Sequence, residues 1–370
     1  MSREARAAIL TAPGEPLVVE PITLDPPAAD EVQVRVVTSG VCQSDLHVKR
    51  TNGWGMPFPI LLGHEGAGYV EEVGAGVTSV REGDPVLIAW RAPCGKCESC
   101  VRGDPRHCMA HLRAKKRAHR AADGATLTPM LRTGTFTDRT IVHGAQVVKM
   151  PADLSLEKLC LLACGVSTGF GAPINTSPVR PGASVAVIGC GGVGLSIVAG
   201  AKLANAGRII AVDIAPQKLE WATHFGATDG VDASQGDPVA AVRDLTGGAG
   251  VHFAFEATGR PEPVEQMMRM LHFAGRATMV SVQGPGATAN VDLGDPSIGL
   301  FENKTTLTVS HGGDVLPQYD FPLMAEYYRE GKLDLDFMVT KVIGLDDIEP
   351  AFQDMQAGRV IRSVVRLSDG

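Results

Sequence analysis

The first candidates for chemistry in this 370-residue chain are eight cysteines and the polar residues that crowd two positions. Cys94, Cys97, Cys100 and Cys108 form C-x2-C-x2-C-x7-C in a segment rich in glycine, proline and charge. Four thiolates gathered by one loop can surround a tetrahedral cation, the mark of structural zinc. Disulfides are the plainer alternative, but the opening residues carry no secretory leader and an intracellular redox state disfavours them. An iron–sulfur cluster is the third, although ferredoxin runs keep a shorter last gap. Cys42, in GVCQSDLH, and His64, in LLGHEGAG, lie outside that lobe. Ser44, Asp45 and His47 follow the first and Glu65 follows the second. Such crowding of titratable groups is costly in a core unless chemistry uses it. A buried thiol and a satisfied core histidine are the structural alternatives.

A nucleotide signal lies further along. Ser184 to Ile188 reads as a strand running into Gly189-x-Gly191-x-x-Gly194, with Gly192 and Val193 inside the motif and a helix to about Ala206. A second strand from Arg208 ends at Asp213, about 20 residues beyond the last glycine. Pyrophosphate then sits at a helix N-terminus and the carboxylate takes the adenosine ribose diol. No arginine follows Asp213 to receive a 2′-phosphate, which favours NAD over NADP. Lys218 is expected near the same ribose, a solvated helix lysine being the alternative.

These residues need a scaffold, and the chain changes texture where one would. From Ala7 to about Val148 it is turn-rich with short alternating runs such as Val32 to Val36, the period of half-buried strands. From about Gly182, runs such as SVAVIG, RIIAVD, HFAFEA and ATMVSV alternate with helical stretches, which implies βαβ units and a parallel sheet. Beyond Thr308 come two amphipathic helices, Tyr319 to Glu330 and Asp346 to Ala357, and a closing strand, Ile361 to Leu367, which could join either domain.

Length favours two unequal domains. Hydrophobic residues at 44% and charged residues at 20% suit a packed globular protein. The 43 glycines follow no Gly-X-Y period, so collagen is excluded and tight turns are expected. A net charge of −7 gives no general attraction to phosphate backbones, and no nucleic-acid partner is expected. The one basic run, Arg113 to Arg120, reads as a solvated loop. The uncharged runs Leu159 to Val179 and Gly182 to Ala201 are broken by glycine or proline and read as buried segments, not membrane spans. Arg3, Glu4, Arg6 and Pro13 break up the start, so a cytoplasmic protein without a signal peptide is expected.

Taken in order, GVCQSD, Gly63-His64-Glu65-x2-Gly68-x5-Gly74-x2-Val77, the four-cysteine lobe, LLACGVSTGFGA, GCGGVG, Asp213 and VIRSVVRL resemble the zinc-dependent medium-chain alcohol dehydrogenases over almost the whole chain. The resemblance implies an α/β fold. A GroES-like, mostly β catalytic domain would span 1–165 and 309–370, with a zinc lobe at about 91–110. A Rossmann domain, a doubly wound parallel sheet binding NAD, would span 166–308, with the active site in the cleft.

The resemblance also assigns roles. Catalytic zinc would be held by Cys42, His64 and Cys164, leaving a fourth position for alcohol. Glu65 is similar to the carboxylate that approaches the metal during ligand exchange, and Asp45 to the acid that orients the histidine. Ser44 would begin a proton relay running through the nicotinamide ribose to His47. Thr168 would pack near the nicotinamide, and Arg362 would reach the pyrophosphate. Trp90, Phe136 and Trp54 fall where members line the substrate pocket. Cys160 and Cys190 have no family role and read as small buried hydrophobes. Gln43 departs from the Arg or His common at its position, which removes a charge from the pyrophosphate.

The implied activity is NAD-dependent oxidation of primary alcohols, aromatic or medium-chain, to aldehydes and the reverse, by hydride transfer from a zinc-bound alkoxide, with two zinc ions per chain. The long stretch between Cys108 and Phe136 resembles dimeric members, a tetramer being the alternative. Texture is closest to actinobacterial-type members. A thiol-dependent, mycothiol-type formaldehyde dehydrogenase acting on an S-hydroxymethyl adduct is therefore the runner-up, with Arg113, Lys115, Lys116 and Arg117 available to meet carboxylates of the thiol. A non-catalytic zinc and NAD-binding module is the third reading.

Overall fold

The computed structural model describes residues 3–108, 115–295 and 299–368. The chain divides into two compact units, Met1–Cys164 with Leu316–Gly370, and Gly165–Val315.

The first unit is built on the long strand Glu31–Gly40. Val32, Val34 and Val36 alternate along it and face Val70, Val86, Ile88 and Val142 in one buried cluster. It pairs antiparallel with Gly66–Val73, with Arg139–His143 and with the closing strand Arg362–Arg366. Register then does the positioning. Ser39 lies opposite Gly66 and Gly40 opposite Val364, so residues just past Gly40, just before Gly66 and at Arg362 gather at one end of a seven-stranded sheet. Gly68 permits the crossing, because a Cβ there would stand 1.9 Å from the Arg35 carbonyl oxygen.

A five-stranded sheet, carrying Arg3–Leu10 and Val18–Leu24 among its strands, covers a second apolar cluster that includes Ile9, Ile22 and Leu61. The tail belongs to this unit, since its last strand pairs with Thr38–Gly40. Its helices run Pro317–Arg329 and Ile348–Gln356. The first begins earlier than the sequence pattern predicts because Pro317 occupies the opening turn, where its missing N–H costs nothing.

The second unit holds six parallel strands in the order Asp229–Asp232, Arg208–Asp213, Ser184–Ile188, Val251–Glu256, Leu271–Met279, Thr306–Val309. Strand order reverses beside Ser184–Ile188, and ligands of such sheets bind outside the carboxyl ends at that reversal. Because Thr306–Val309 extends this sheet, the chain returns to the first unit only at Leu316, against the 309 expected from sequence.

Among the described residues no single helix is long and apolar enough to cross a membrane. One bent pair, Leu156–Ala163 with Gly165–Thr176, has the apolar composition of a span, but Leu159, Leu161, Leu162, Val166 and Phe170 in it are buried by protein.

Candidate metal centres and dinucleotide turn

Cys42 leaves the central strand and precedes the helix Gln43–Arg50. Asp45, in the first turn, reaches back so that its Oδ2 accepts from Cys42 N–H at 3.1 Å. Its Oδ1 accepts from Gly63 N–H at 3.0 Å and meets His64 Nδ1 at 3.1 Å. One buried carboxylate therefore ties both loops together. Gly63 has φ of +86°, and a Cβ there would lie 2.5 Å from Phe136 N, so only glycine fits. The Gly63 carbonyl is held in turn by Thr135 N–H at 2.9 Å and Thr133 Oγ1 at 3.3 Å.

With Nδ1 donating to the carboxylate, the lone pair of His64 lies on Nε2. That atom is buried and has no hydrogen-bond partner among the described residues. Around it, ligand atoms of Cys42, His64, Glu65 and Cys164 all lie within 4.8 Å of one another. Two sulfurs and an imidazole suit a borderline-soft divalent ion such as zinc. The Cys164 thiol hydrogen-bonds to Cys42 and holds it well below the usual thiol range against the effect of burial, with help from His64 and Arg362. Cys164 is correspondingly pushed up by the same bond and by burial. Burial disfavours a charged His64, yet Asp45 and Cys42 outweigh it and raise the imidazole well above its ordinary value. Cys42 is thus the thiol of the pair that ionises first, beside an imidazole stabilised by the Asp45 carboxylate.

Glu65 also meets Arg362, whose Nη2 donates to Glu65 Oε2 and, at 3.1 Å, to the Val41 carbonyl. Gly40 makes room for this, since a Cβ there would be 2.0 Å from Glu65 Oε2. Arg362, expected near a pyrophosphate, is buried and engaged within its own unit. Ser44 and His47 ride half-buried on the helix after Cys42. Of the expected pocket aromatics, Phe136 is fully buried in a cluster with Leu10, Leu46 and Leu62, Trp90 is half-buried, and Trp54 is 36% exposed with its ring against His47.

The four-cysteine lobe closes on itself. Four sulfurs about 2.3 Å from a tetrahedral centre stand about 3.8 Å apart. Cys97 Sγ and Cys108 Sγ are 3.7 Å apart, and all four sulfurs lie within 4.8 Å of one another. None of the eight cysteines forms a disulfide, so that alternative does not hold. Backbone N–H groups of Cys97 and Cys94 point at the sulfurs of Cys94 and Cys108, at 3.2 and 3.3 Å. The Cys100 backbone N–H brings Cys97 down to about 6, while burial pushes Cys100 up to about 11. Arg91 fastens the lobe by donating to the carbonyls of Arg106 and, at 3.3 Å, Cys108.

In the second unit, Gly189 takes φ of +93° and the helix Gly192–Leu203 starts just beyond Gly191. A Cβ on Gly194 would lie 1.8 Å from the Gly189 carbonyl, which fixes close packing of helix on strand, whereas a Cβ on Gly191 would meet nothing within 4 Å. That open space above a helix N-terminus, edged by Val193, fits a phosphate. Asp213 accepts from Cys190 N–H at 2.8 Å and Ala215 N–H at 3.0 Å, with Lys218 Nζ at 3.8 Å, so the carboxylate is fixed at the strand end. Thr168 is buried in the helix Gly165–Gly171. Cys190 is buried and its thiol raised; burial likewise pushes Cys160 up to about 12, and both are buried as expected.

Gly40, Thr133, Thr135 and Arg91 were not singled out in the sequence. Arg91 alone carried a signal, its closeness to Cys94. The basic run is mixed: Lys115 and Lys116 are exposed, as a solvated loop implies, although Lys115 N–H donates to the buried Glu31 carboxylate at 2.7 Å and Lys116 Nζ to Thr128 at 2.9 Å, whereas Arg117 is half-buried with its Nε donating to Glu31 at 2.9 Å. Arg113 lies outside the described residues.

Known proteins share this arrangement. Residues 28–152 match the family model described as alcohol dehydrogenase GroES-like domain, and residues 192–329 the one described as zinc-binding dehydrogenase. An S-(hydroxymethyl)glutathione dehydrogenase of Escherichia coli O1:K1 is 37% identical, covering 98% of this chain and 100% of its own length. Among solved structures, an alcohol dehydrogenase zinc-binding domain protein from Burkholderia ambifaria superposes with a TM-score of 0.93 at 34% identity, over 100% of both chains. Benzyl alcohol dehydrogenase from Acinetobacter calcoaceticus does so at 0.91 and 31%, over 99% of this chain and 100% of the other. A GroES-like domain joined to a Rossmann domain is thus the fold, and the chain, an oxidoreductase, belongs to the zinc-dependent medium-chain alcohol dehydrogenase family.

Proposed function

We propose that this enzyme oxidises primary alcohols, aromatic or medium-chain, to aldehydes with NAD, and catalyses the reverse reaction. The observation that carries the reading is the buried, unpartnered His64 Nε2 among the sulfurs of Cys42 and Cys164. Those three residues would hold a catalytic zinc, and Cys94, Cys97, Cys100 and Cys108 a structural one. When bound, the catalytic metal supplies a Lewis acid for the alcohol oxygen and NAD supplies the hydride acceptor.

The chain's own groups do the remaining work. Asp45 fixes the His64 ring and the loop of Cys42 before any substrate arrives. Ser44 takes the alcohol proton and His47 passes it to solvent. Glu65, paired with Arg362, would be the carboxylate at hand beside the metal ligands during their exchange. Gly189, Gly191, Gly192, Val193 and Gly194 receive the pyrophosphate, Asp213 and Lys218 the adenosine ribose, and Thr168 the nicotinamide. Trp90 borders the alcohol, and Trp54 stands beside His47; Phe136 supports Gly63 from behind. We expect a cytoplasmic homodimer.

The second reading is oxidation of an S-hydroxymethyl thiol adduct, favoured by the 37% identity to an enzyme named for that substrate. Pairing of Arg117 with the buried Glu31 carboxylate weighs against its meeting a carboxylate of such a thiol, while Lys115 and Lys116 stay exposed. The deciding experiment counts zinc, then follows NADH formation over linear, branched and aromatic alcohols, and over formaldehyde, with and without low-molecular-weight thiols. Turnover of alcohols without thiol, abolished in Cys164→Ser, supports the first reading. Activity only with formaldehyde and a thiol supports the second. Two bound zincs with no turnover under any condition leaves a binding module.

A further inference from the structure

The loop after the helix Gln43–Arg50 holds a conformation that one of its residues does not favour. Gly53, Trp54 and Gly55 have φ of 68°, 54° and 75°. Glycines adopt this left-handed region freely, whereas a bulky tryptophan rarely does. Residues held there against their own preference tend to cluster where position matters for function. Nor is the loop loose. Gly55 N–H donates to the Asn52 carbonyl at 3.2 Å and Met56 N–H to the Gly53 carbonyl at 3.0 Å. A Cβ on Gly53 would lie 2.7 Å from Ile60 Cδ1, and Ile60 is buried in the same cluster as Leu46 and Val48 of the helix. Helix and loop are therefore fixed to each other through one core. What the strained residue delivers is its ring, whose centroid lies 5.7 Å from that of the His47 imidazole with the planes at 80°.

We propose that Trp54 is a positioning residue for His47, holding the imidazole in the orientation from which it releases the reaction's proton. An alcohol and NAD+ give an aldehyde, NADH and one proton. One ring nitrogen of His47 accepts a proton from the relay that starts at Ser44, and the other nitrogen loses one to water. An imidazole free to rotate about its two side-chain bonds spends part of its time out of line with that relay. The indole restricts this freedom through an edge-to-face contact of the kind aromatic rings prefer. The inference rests on the reading of His47 as the solvent end of the relay. It gives Trp54 a task other than lining the alcohol pocket.

The test is single-turnover NADH formation by zinc-loaded wild type, His47→Ala, Trp54→Ala and Trp54→Phe, each with and without added imidazole, after melting curves and zinc counts confirm the fold. His47→Ala is expected to slow the reaction about a hundredfold, the size of a positioned general base, and to be rescued by imidazole. Trp54→Ala is expected to slow it by about threefold to tenfold, to be rescued over the same imidazole concentrations, and to be largely repaired by Trp54→Phe, which keeps an aromatic edge. A Trp54→Ala defect that imidazole leaves untouched, with an altered ranking of alcohols, makes Trp54 a pocket wall and overturns the proposal. An unchanged rate in Trp54→Ala does the same while leaving the relay intact. If His47→Ala is as fast as wild type, the relay reading itself falls, and Trp54 has nothing to position.

Discussion

Asp45→Asn keeps the shape of the side chain and removes its charge, which isolates what the carboxylate does for the metal loops. Oδ1 serves Gly63 N–H and His64 Nδ1, and Oδ2 serves Cys42 N–H, at 3.0 to 3.1 Å. The amide can place its oxygen at only one of these two positions. With the oxygen at the Oδ1 position, the amide NH2 confronts Cys42 N–H, donor against donor. One bond is then lost and a buried donor stranded, at about 1–3 kcal/mol, and the two surviving bonds lose the assistance of the charge. A total near 3 kcal/mol lowers the melting temperature by roughly 6–12 °C if the first unit, Met1–Cys164 with Leu316–Gly370, melts as one cooperative body. The loss of a carboxylate partner to a metal-binding histidine costs about 10–100-fold in metal affinity. The assay is zinc retention against a graded chelator, read beside the melting curve. One zinc is expected to leave at 10–100-fold lower chelator while the four-cysteine site keeps its own. Wild-type retention and melting would refute the clamp, and equal loss from both sites would mean global unfolding rather than a local effect.

Three further outcomes follow from the same structure. Cys108→Ser should leave one zinc per chain and expose the lobe to proteolysis near Cys94 to Cys108, because the four sulfurs and Arg91 are what close the lobe; an uncut lobe with two zincs would contradict this. Gly40→Ala should destabilise by about 3–5 kcal/mol, since a Cβ 2.0 Å from Glu65 Oε2 must drive that carboxylate off buried Arg362; a melting curve like wild type would disprove it. Burial pushes the Asp84 carboxyl up, but Lys149 Nζ at 2.7 Å and the Arg81 backbone N–H bring it below its ordinary value. A depressed carboxyl contributes stability above its unfolded pKa of about 3.9 and loses it as pH falls through the folded value. Denaturation of Lys149→Ala should therefore show a deficit of about 0.5–1 kcal/mol at pH 7 that closes toward pH 3, and a deficit independent of pH would tell against the pairing.

The sequence disclosed those parts of the site whose chemistry is local. The lobe cysteines lie within one loop, and Gly189, Gly191 and Gly194 within one turn, so spacing alone carries their geometry. The resemblance marks Asp45 as the acid that orients His64, but its bonds to Cys42 N–H and Gly63 N–H, which make it a clamp, depend on a sheet register that no local pattern reveals. Gly40 looked like any other glycine until Glu65 was placed against it. The basic run shows a partial miss: the solvated reading holds for the exposed Lys115 and Lys116, while Glu31, buried at the start of a strand far off in sequence, draws Arg117 inward. Burial of a charge depends on its partner, and the partner is set by strand pairing.

That dependence on register explains why the tail had to return to the first unit. Val41 N–H donates to the Ser363 carbonyl, and Arg362 reaches both the Val41 carbonyl and Glu65, so the last strand supports the backbone beside Cys42 and balances the carboxylate beside His64. Side chains alternate faces along a strand, so a slip of one residue in the Thr38–Gly40 pairing would turn Arg362 away and bury Ile361 or Ser363 in its place. A buried Glu65 left without its guanidinium would cost several kcal/mol. The natural remedy for that carboxylate is the nearest cation, and the nearest cation site is the one formed by Cys42, His64 and Cys164. The closing strand thereby supplies the guanidinium that holds Glu65, a pairing of residues some three hundred positions apart in the chain.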